Sequence, residues 1–121
     1  MNRQILAVDD SMSMRMLLRA SLTAAGFDVE EAEDGRAALE WLDNNAPMLV
    51  ITDINMPRLD GFGLIAELRT RDRFRDIPIL VLTTESSPEK KARAREAGAT
   101  GWIVKPFDPE KLAAAVRRVT H

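Results

Sequence analysis

The sequence contains no cysteine and, apart from His121, no histidine. The lack of cysteine excludes disulfide bonds and thiolate metal sites. No apolar run approaches the ~20 residues that a membrane span requires, and the amino terminus leads into a predicted strand without a signal-peptide pattern. We therefore expect a soluble, cytoplasmic protein, and its 121 residues are typical of one domain.

An excess of positive charge is also absent, because the formal net charge is -2. This balance argues against nucleic-acid binding. The charge is unevenly distributed, since residues 1–88 carry 9 Lys/Arg and 15 Asp/Glu whereas residues 89–121 carry 8 and 4. An acidic first part favours a cation site and a basic second part favours an anionic partner. An ordinary solvated surface would explain the same distribution.

Short apolar segments alternate with helical patterns along the chain. Strands are predicted at residues 4–8, 27–32, 48–52, 77–82 and 101–104. Helices are predicted from 11 or 13 to about 25, from 34 or 35 to 45, from 61 to 70, from 87 to 98 and from 108 to 119. In the first helix the apolar positions are Met14, Leu17, Leu18 and Leu22, at a spacing typical of a core-facing side.

Five βα units predict an α/β fold with a parallel sheet covered by helices on both faces. The flavodoxin-like strand order 2-1-3-4-5 suits a chain of five such units. Because no linker, repeat or low-complexity segment interrupts the pattern, we expect a single domain over residues 1–121 without an output domain.

The third predicted strand, residues 48–52, is a continuous apolar run that ends abruptly at Asp53. Strands buried on both faces of a parallel sheet have this composition. Open α/β sheets bind their ligands at the carboxyl ends of their strands. Asp53 is therefore the candidate reacting group.

Polar residues also end three other predicted strands. Asp9 and Asp10 follow the first, Thr83 the fourth and Lys105 the fifth, so all are expected on the rim that carries Asp53. Clustered carboxylates repel one another unless a cation is present. Oxygen ligands without cysteine or histidine favour a hard cation, and Mg²⁺ fits best.

This arrangement predicts phosphoryl chemistry. Asp53 could attack a phosphoryl donor and form an aspartyl phosphate, with Mg²⁺ offsetting the charge that gathers on the transferring group. Lys105 could pair with the phosphoryl oxygens, and the Thr83 hydroxyl could bind the same group. Each residue has an ordinary alternative, because strand-end acids often cap helices and Thr83 could satisfy backbone groups in a turn. The combination favours a site, since chance capping does not predict a lysine beside the acids.

The motifs at these strand ends resemble those of response-regulator receiver domains. They are VDDS at 8–11, DINMPRLDG at 53–61, LTTESS at 82–87 and VKPF at 104–107. The resemblance covers residues 4–119 and is greatest to the stand-alone chemotaxis, CheY-like type.

The resemblance implies a phosphoacceptor and a metal site. Asp53 would accept a phosphoryl group from a histidine kinase. Asp10, Asp53 and the backbone carbonyl of Asn55 would ligate Mg²⁺, with Asp9 acting through a water molecule. The Lys105–Pro106 peptide bond is cis in such domains.

Further roles follow from the same resemblance. Thr83 and Lys105 take the switch and phosphate-binding roles, and Trp102 stands at the aromatic switch position, which is usually Tyr or Phe. Asn55 and Glu85 flank the site as residues that tune dephosphorylation. Such a domain is a signalling protein, and its only chemistry is self-catalysed phosphoryl transfer and autodephosphorylation.

The expected output is protein–protein contact by a monomer. The target would be a protein such as the flagellar motor switch, a phosphatase is a further candidate partner, and neither nucleic acid nor membrane is expected. The partner face would comprise helix 4, strand 5 and helix 5, with Lys90, Lys91, Trp102, Lys111, Arg117 and Arg118.

Three alternatives remain open. The chain could act in a phosphorelay outside chemotaxis, or it could be a receiver cut from a longer regulator. It could also be a Mg²⁺-dependent phosphohydrolase with an aspartyl nucleophile. Those enzymes typically carry a second Asp two residues after the nucleophile, where this chain has Asn55.

Overall fold

The computed structural model describes residues 2–120, so positions 1 and 121 of the predicted domain lie outside the described residues. Its strands are β1 (Gln4–Val8), β2 (Asp28–Ala32), β3 (Leu49–Thr52), β4 (Ile79–Thr83) and β5 (Gly101–Val104). Its helices are α1 (Met12–Ala24), α2 (Gly35–Leu42), α3 (Gly61–Arg69), α4 (Pro88–Ala97) and α5 (Pro109–Thr120). None of the helices within residues 2–120 is long and apolar enough to cross a membrane.

The strands form one parallel sheet in the order β2-β1-β3-β4-β5. The predicted α/β fold and strand order are therefore confirmed. Every residue of β3 is buried, as expected of a central strand covered by helices on both faces. The edge strand β2 carries charged residues, which blunt an exposed edge.

Alternate strand residues point to opposite faces of the sheet, and each face has its own core. Ile5, Leu49 and Ile51 belong to the core formed with α1 and α5. Leu6 and Val50 belong to the core formed with α2, α3 and α4. The two layers hold the sheet so that the carboxyl ends of β1, β3, β4 and β5 lie along one rim.

Side-chain caps fix the starts of four helices. In each case an oxygen of the capping residue accepts a hydrogen bond from the backbone N–H three residues later, which satisfies a donor that the helix leaves free. The capping residues are Ser11 for α1, Asp34 for α2, Asp60 for α3 and Ser87 for α4. The structure thus selects Ser11 rather than Ser13 as the cap of α1, and α2 begins at Gly35 with Asp34 as its cap.

Besides shifted element ends, such as α2 ending at Leu42 rather than at 45, two details of the prediction were wrong. Leu17 is 55% exposed instead of facing the core, because Leu18 and Leu22 already occupy the side of α1 that faces the sheet and Leu17 lies about 100° away from Leu18 on the helix. The fourth strand starts at Ile79 rather than at position 77 and includes Thr83. Pro78 has no N–H to donate to a strand ladder, so pairing begins after it.

Glu31 on β2 connects the sheet edge to α1. Its two carboxylate oxygens accept hydrogen bonds from Arg19 Nε at 2.6 Å and from Arg15 Nε at 3.1 Å. The hydrogen bond from Arg19 makes the largest contribution to lowering the pKa of Glu31, and with the help of Arg15 it outweighs the opposing effect of burial. Glu31 is therefore held as a carboxylate between two cations.

Candidate functional site

Three carboxylates meet at the carboxyl ends of β1 and β3. The parallel register pairs Val8 with Thr52, so the residues that follow these two positions are neighbours. One oxygen from each of Asp9, Asp10 and Asp53 lies within 4.8 Å of the others. Asp9 and Asp53 are buried, whereas Asp10 is exposed. The predicted acid cluster is therefore assembled as expected from the strand order.

Lys105 reaches this cluster from the end of β5. Its Nζ donates to Asp9 Oδ2 at 2.7 Å and to Asp53 Oδ2 at 2.9 Å, and its side chain is 11% exposed. Burial alone would lower the pKa of Lys105, but the hydrogen bonds and charges of the two aspartates outweigh that effect and raise it. One ammonium group thus bridges two of the three acids. The Lys105–Pro106 peptide bond is cis, as the resemblance implied.

Backbone and side-chain donors orient the two buried acids. The N–H of Ser11 donates to Asp9 Oδ1 at 2.9 Å, and the N–H of Ile54 donates to Asp53 Oδ1 at 2.6 Å. Arg15 Nη1 also donates to the backbone carbonyl of Asp9 at 2.5 Å. Each aspartate therefore offers one oxygen to the protein backbone and the other to Lys105.

The donor set suits a hard divalent cation. The cluster supplies only carboxylate oxygens, and a single lysine leaves it with excess negative charge. Mg²⁺ is bound in proteins by one or two carboxylates together with water and phosphoryl oxygens. The exposed Asp10 leaves one side of the cluster open to solvent. Asn55 is exposed in the loop that follows Asp53, so a backbone ligand from this loop is compatible with the same site.

Thr83 ends β4 and is fully buried. Its hydroxyl oxygen accepts a hydrogen bond from the backbone N–H of Glu85 at 3.3 Å. This contact corresponds to the ordinary alternative in which Thr83 satisfies a backbone group in a turn. Thr83 nevertheless lies on the predicted rim beside Lys105, because its backbone carbonyl accepts from the N–H of Lys105 at 2.8 Å.

Glu85 connects the loop after β4 to Trp102 and Lys90. The indole Nε1 of the half-buried Trp102 donates to the backbone carbonyl of Glu85 at 3.1 Å, and Lys90 Nζ donates to Glu85 Oε1 at 2.9 Å. The hydrogen bond from Lys90 is the main cause of the lowered pKa of Glu85, and the side chain of Asn55 contributes in the same direction. The two predicted tuning residues therefore interact, and Glu85 also contacts the predicted switch residue Trp102.

The residues of the predicted partner face line different parts of the surface. Lys91 and Trp102 line a cavity of about 120 Å³ between α4 and β5. Lys111 and Arg118 line a groove between β5 and α5. Arg117 lines a separate groove between α1 and α5, and its membership of the partner face stays a prediction. Consecutive helix residues point about 100° apart, so Arg117 and Arg118 face different neighbours.

Sequence analysis missed an ion pair beside the cluster. Arg58 lies in the loop after β3 and binds Asp34 through both Nε and Nη2, at 2.7 and 3.0 Å. Asp34 had been identified only as a possible helix start. The two residues are 24 positions apart, and no local spacing rule connects them.

The family model described as response regulator receiver domain matches residues 5–117. The chain is a response regulator receiver domain. The receiver domain is 44% identical over 111 residues to chemotaxis protein CheY1 of Helicobacter pylori, a match that covers 90% of each chain. It superimposes on the solved structure of chemotaxis protein CheY4 of Vibrio cholerae with a TM-score of 0.93 at 44% identity, covering 98% and 99% of the two chains.

Longer regulators are also similar to the receiver domain. Response regulator MprA of Mycobacterium sp. is 43% identical over 114 residues, which are 94% of this chain and 49% of MprA. The chain thus spans about half the length of this and some other curated relatives. The family and the flavodoxin-like fold are established by these matches, and the receiver domain is CheY-like within the two-component response regulators.

Proposed function

We propose that the receiver domain is a phosphorylation-activated signalling switch in which Asp53 accepts a phosphoryl group from a histidine kinase. The observation that carries the proposal is the bridge from Lys105 Nζ to Asp9 and Asp53 at the end of the central strands. A buried nucleophile, a second buried acid and a cation meet there beside the exposed Asp10. If Asp53 only capped a helix, it would require neither the second buried acid nor the lysine beside it.

The proposed reaction transfers the phosphoryl group between two side chains. An oxygen of Asp53 attacks phosphorus, the new O–P bond forms, and the P–N bond to the donor's histidine breaks with its electron pair returning to the imidazole. Lys105 is within hydrogen-bond distance of Asp53 Oδ2, so its ammonium group can pair with an incoming phosphoryl oxygen. The imidazole nitrogen then takes a proton from water.

The acid cluster is the proposed cation site. Asp10, Asp53 and the backbone carbonyl of Asn55 would hold Mg²⁺ directly, and Asp9 would act through a water molecule. The ion supplies positive charge that offsets the charge on the transferring group. The oxygen-only donor set supports this assignment.

The turn from Thr83 to Glu85 is the proposed link to the output face. The Thr83 hydroxyl binds the N–H of Glu85, and the carbonyl of Glu85 binds the indole of Trp102. A phosphoryl oxygen that attracts the hydroxyl would therefore disturb the turn that holds Trp102. Moving an equilibrium from 1:99 to 99:1 needs about 5.5 kcal/mol, whereas one charged hydrogen bond contributes roughly 1.5–3 kcal/mol. Lys105 must contribute as well.

The proposed partners are a histidine kinase and a target protein such as a flagellar motor switch protein, with a phosphatase as a further candidate. The likeness to CheY1 and CheY4 supports a role in chemotaxis. Lys90, Lys91, Trp102, Lys111 and Arg118 offer a basic, partly apolar surface for an acidic target segment. The likeness to MprA favours a second candidate, a phosphorelay outside chemotaxis.

Labelling with acetyl phosphate and Mg²⁺ tests the phosphoacceptor. Mass spectrometry should find one phosphoryl adduct on the wild-type chain and none on Asp53→Asn. Asp60→Asn is the matched control, since it changes an exposed acid that caps α3 and should leave labelling unchanged. A full level of adduct on Asp53→Asn, or none on the wild type, would refute the assignment. Pull-downs with phosphorylated and unphosphorylated protein would then distinguish the candidate pathways.

A further inference from the structure

The loop between β3 and α3, residues 53–60, is anchored at its two ends. The N–H of Gly61 donates to the carbonyl of Ile54 at 2.9 Å, and a Cβ at position 61 would overlap the carbonyl oxygen of Asp53. Only glycine allows this close approach. The ends of the loop are thus fixed against β3, while Asn55 in the loop is exposed.

The central part of this loop is held by the corner between β2 and α2. Arg58 forms the two-pronged ion pair with Asp34 described above. At the next position the N–H of Gly35 donates to the carbonyl of Leu59 at 3.0 Å. A Cβ on Gly35 would lie 2.5 Å from that carbonyl oxygen, so the two segments touch along their backbones.

Asp34 is itself rigidly placed. Its side chain is 4% exposed, and its Oδ1 accepts from the N–H of Ala37 at 2.8 Å as the cap of α2. Arg58 has a φ of 66°, in the left-handed region that residues other than glycine rarely adopt. A fixed carboxylate thus binds a residue in a costly backbone conformation, and the contact offsets part of that cost.

The same ion pair borders the metal site proposed above. Asp34 and Arg58 line a cleft together with Asp10, Glu33 and Pro57. Asp10 is the exposed acid of the cluster, and Pro57 lies two residues after Asn55. The cleft therefore places the ion pair beside the acid cluster, at the point where the loop that carries the proposed backbone ligand meets the β2–α2 corner.

We propose that the Asp34–Arg58 ion pair positions the loop of residues 53–60 and thereby sets the affinity of the receiver domain for Mg²⁺. This inference rests on the proposed function of the acid cluster. Neither residue touches the reacting atoms, so both are positioning residues. Outer partners of metal ligands typically change affinity by 10- to 100-fold when they are removed, and we expect about tenfold weaker Mg²⁺ binding because the pair acts through a loop.

The signs of the charges allow a sharp test by calorimetric Mg²⁺ titration. If the two residues acted only through their charges, Arg58→Asn would remove a repelling cation and tighten Mg²⁺ binding, whereas Asp34→Asn would remove an attracting anion and weaken it. If they act by positioning the loop, both variants weaken binding. Asparagine tolerates a positive φ at position 58 and keeps a capping oxygen at position 34.

A double variant completes the cycle. The double variant, Arg58→Asn with Asp34→Asn, should bind Mg²⁺ no more weakly than whichever single variant has the lower Mg²⁺ affinity, because both changes break the same contact. Arg58→Lys keeps the charge but cannot form the two-pronged bond, so it should also weaken binding. Arg75→Asn is the matched control, since Arg75 pairs with Asp72 on an exposed segment. This variant should bind Mg²⁺ like the wild type.

A second measurement separates positioning from general destabilisation. Amide hydrogen exchange in the loop of residues 53–60 should accelerate in both single variants, while exchange in β1 and β3 stays unchanged. Opposite signs of the two affinity changes, or affinities equal to the wild type, would overturn the inference. If the wild type itself bound no Mg²⁺ and accepted no phosphoryl group, the proposed function would fail instead.

Discussion

Replacing Lys105 with methionine should destabilise the domain strongly when no divalent cation is present. Lys105 Nζ is the cation that bridges Asp9 and Asp53, at 2.7 and 2.9 Å, and all three side chains are at most 11% exposed. Methionine keeps much of the side-chain volume but removes the ammonium group. Two buried carboxylates would then face each other without compensation.

The structure sets the size of the effect. Breaking a buried ion pair by removing one partner costs about 3–5 kcal/mol, because the remaining charge stays buried. Asp10 is exposed and opens one side of the cluster to water, so we expect the lower end, about 3 kcal/mol. For a domain of this size that loss corresponds to a decrease in Tm of roughly 10 °C.

Mg²⁺ should offset part of this loss of stability. The ammonium group of Lys105 repels a cation bound to the same carboxylates, so Lys105→Met should bind Mg²⁺ more tightly. Ligand binding stabilises the native state by RT ln(1 + [L]/Kd), and a tenfold decrease in Kd adds about 1.4 kcal/mol at saturation. The free energy of unfolding should therefore rise more on adding Mg²⁺ in the variant than in the wild type.

Urea denaturation in chelator measures the loss of unfolding free energy, and repeating it in saturating Mg²⁺ measures the increase that the ion causes. Lys111→Met is the matched control, because Lys111 is an exposed lysine of α5 and its loss should change neither value by more than about 0.5 kcal/mol. If Lys105→Met were as stable as the wild type in chelator, the lysine bridge would not stabilise the cluster. A smaller response to Mg²⁺ in the variant would refute the electrostatic reasoning.

Three further outcomes are expected. In chelator, Asp10→Asn should raise the free energy of unfolding by about 1 kcal/mol, since it relieves repulsion within the acid cluster at 4.8 Å or less; a loss would favour a capping role. Glu31 has a lowered pKa, chiefly because of its hydrogen bond from Arg19, so its stabilising contribution is present above its unfolded pKa and is lost as the pH falls through the folded value; the acid unfolding curves of wild type and Glu31→Gln should therefore converge once the pH is below the lowered pKa, and parallel curves would contradict this. With Trp41→Phe as background, beryllofluoride and Mg²⁺ should shift the emission of Trp102 and Thr83→Ala should reduce the shift, whereas an unchanged spectrum with bound mimic would leave Trp102 a packing residue.

The fold was predictable because its signals are local. Each buried strand is an apolar run that ends at a polar residue, and four helix starts have a capping side chain such as Ser11 or Asp60. Parallel strands joined by helices permit few arrangements. Once the order of the strands is chosen, the meeting of Asp9, Asp53 and Lys105 follows, since residues at carboxyl strand ends share one rim.

The direction in which an individual helix residue points is not encoded by periodicity. Leu17 satisfies the helical spacing, yet Leu18 and Leu22 alone fill the contact of α1 with the sheet. Arg117 and Arg118 are both basic and adjacent, but the helix turns them towards different grooves. A sequence pattern identifies the apolar side of a helix better than it identifies which exposed neighbours share a surface.

The ion pair between Asp34 and Arg58 was unpredictable for a different reason. The corner at Gly35 approaches the loop at Leu59 only because the sheet and α2 bring them together. The left-handed φ of Arg58 has no signature in the residue type, since glycine or asparagine would be the expected choice. Contacts between loops depend on the assembled fold, and the loops of this domain carry its functional residues.

Glu85 contacts both Thr83 and Trp102. The proposed switch therefore needs only this one residue to couple the acid cluster to Trp102. The N–H of Glu85 is bound by the hydroxyl oxygen of Thr83, and its C=O is bound by the indole of Trp102. The two bonds therefore act on backbone groups of a single residue, so in the proposed switch a displacement of the Thr83 hydroxyl would shift the acceptor of Trp102 without a chain of intermediates. Coupling requires an element with two arrangements that both sites bias, and the turn from Thr83 to Glu85 is the smallest such element in the proposed switch. Because Lys90 also binds the side chain of Glu85, weakening that ion pair should loosen the same turn.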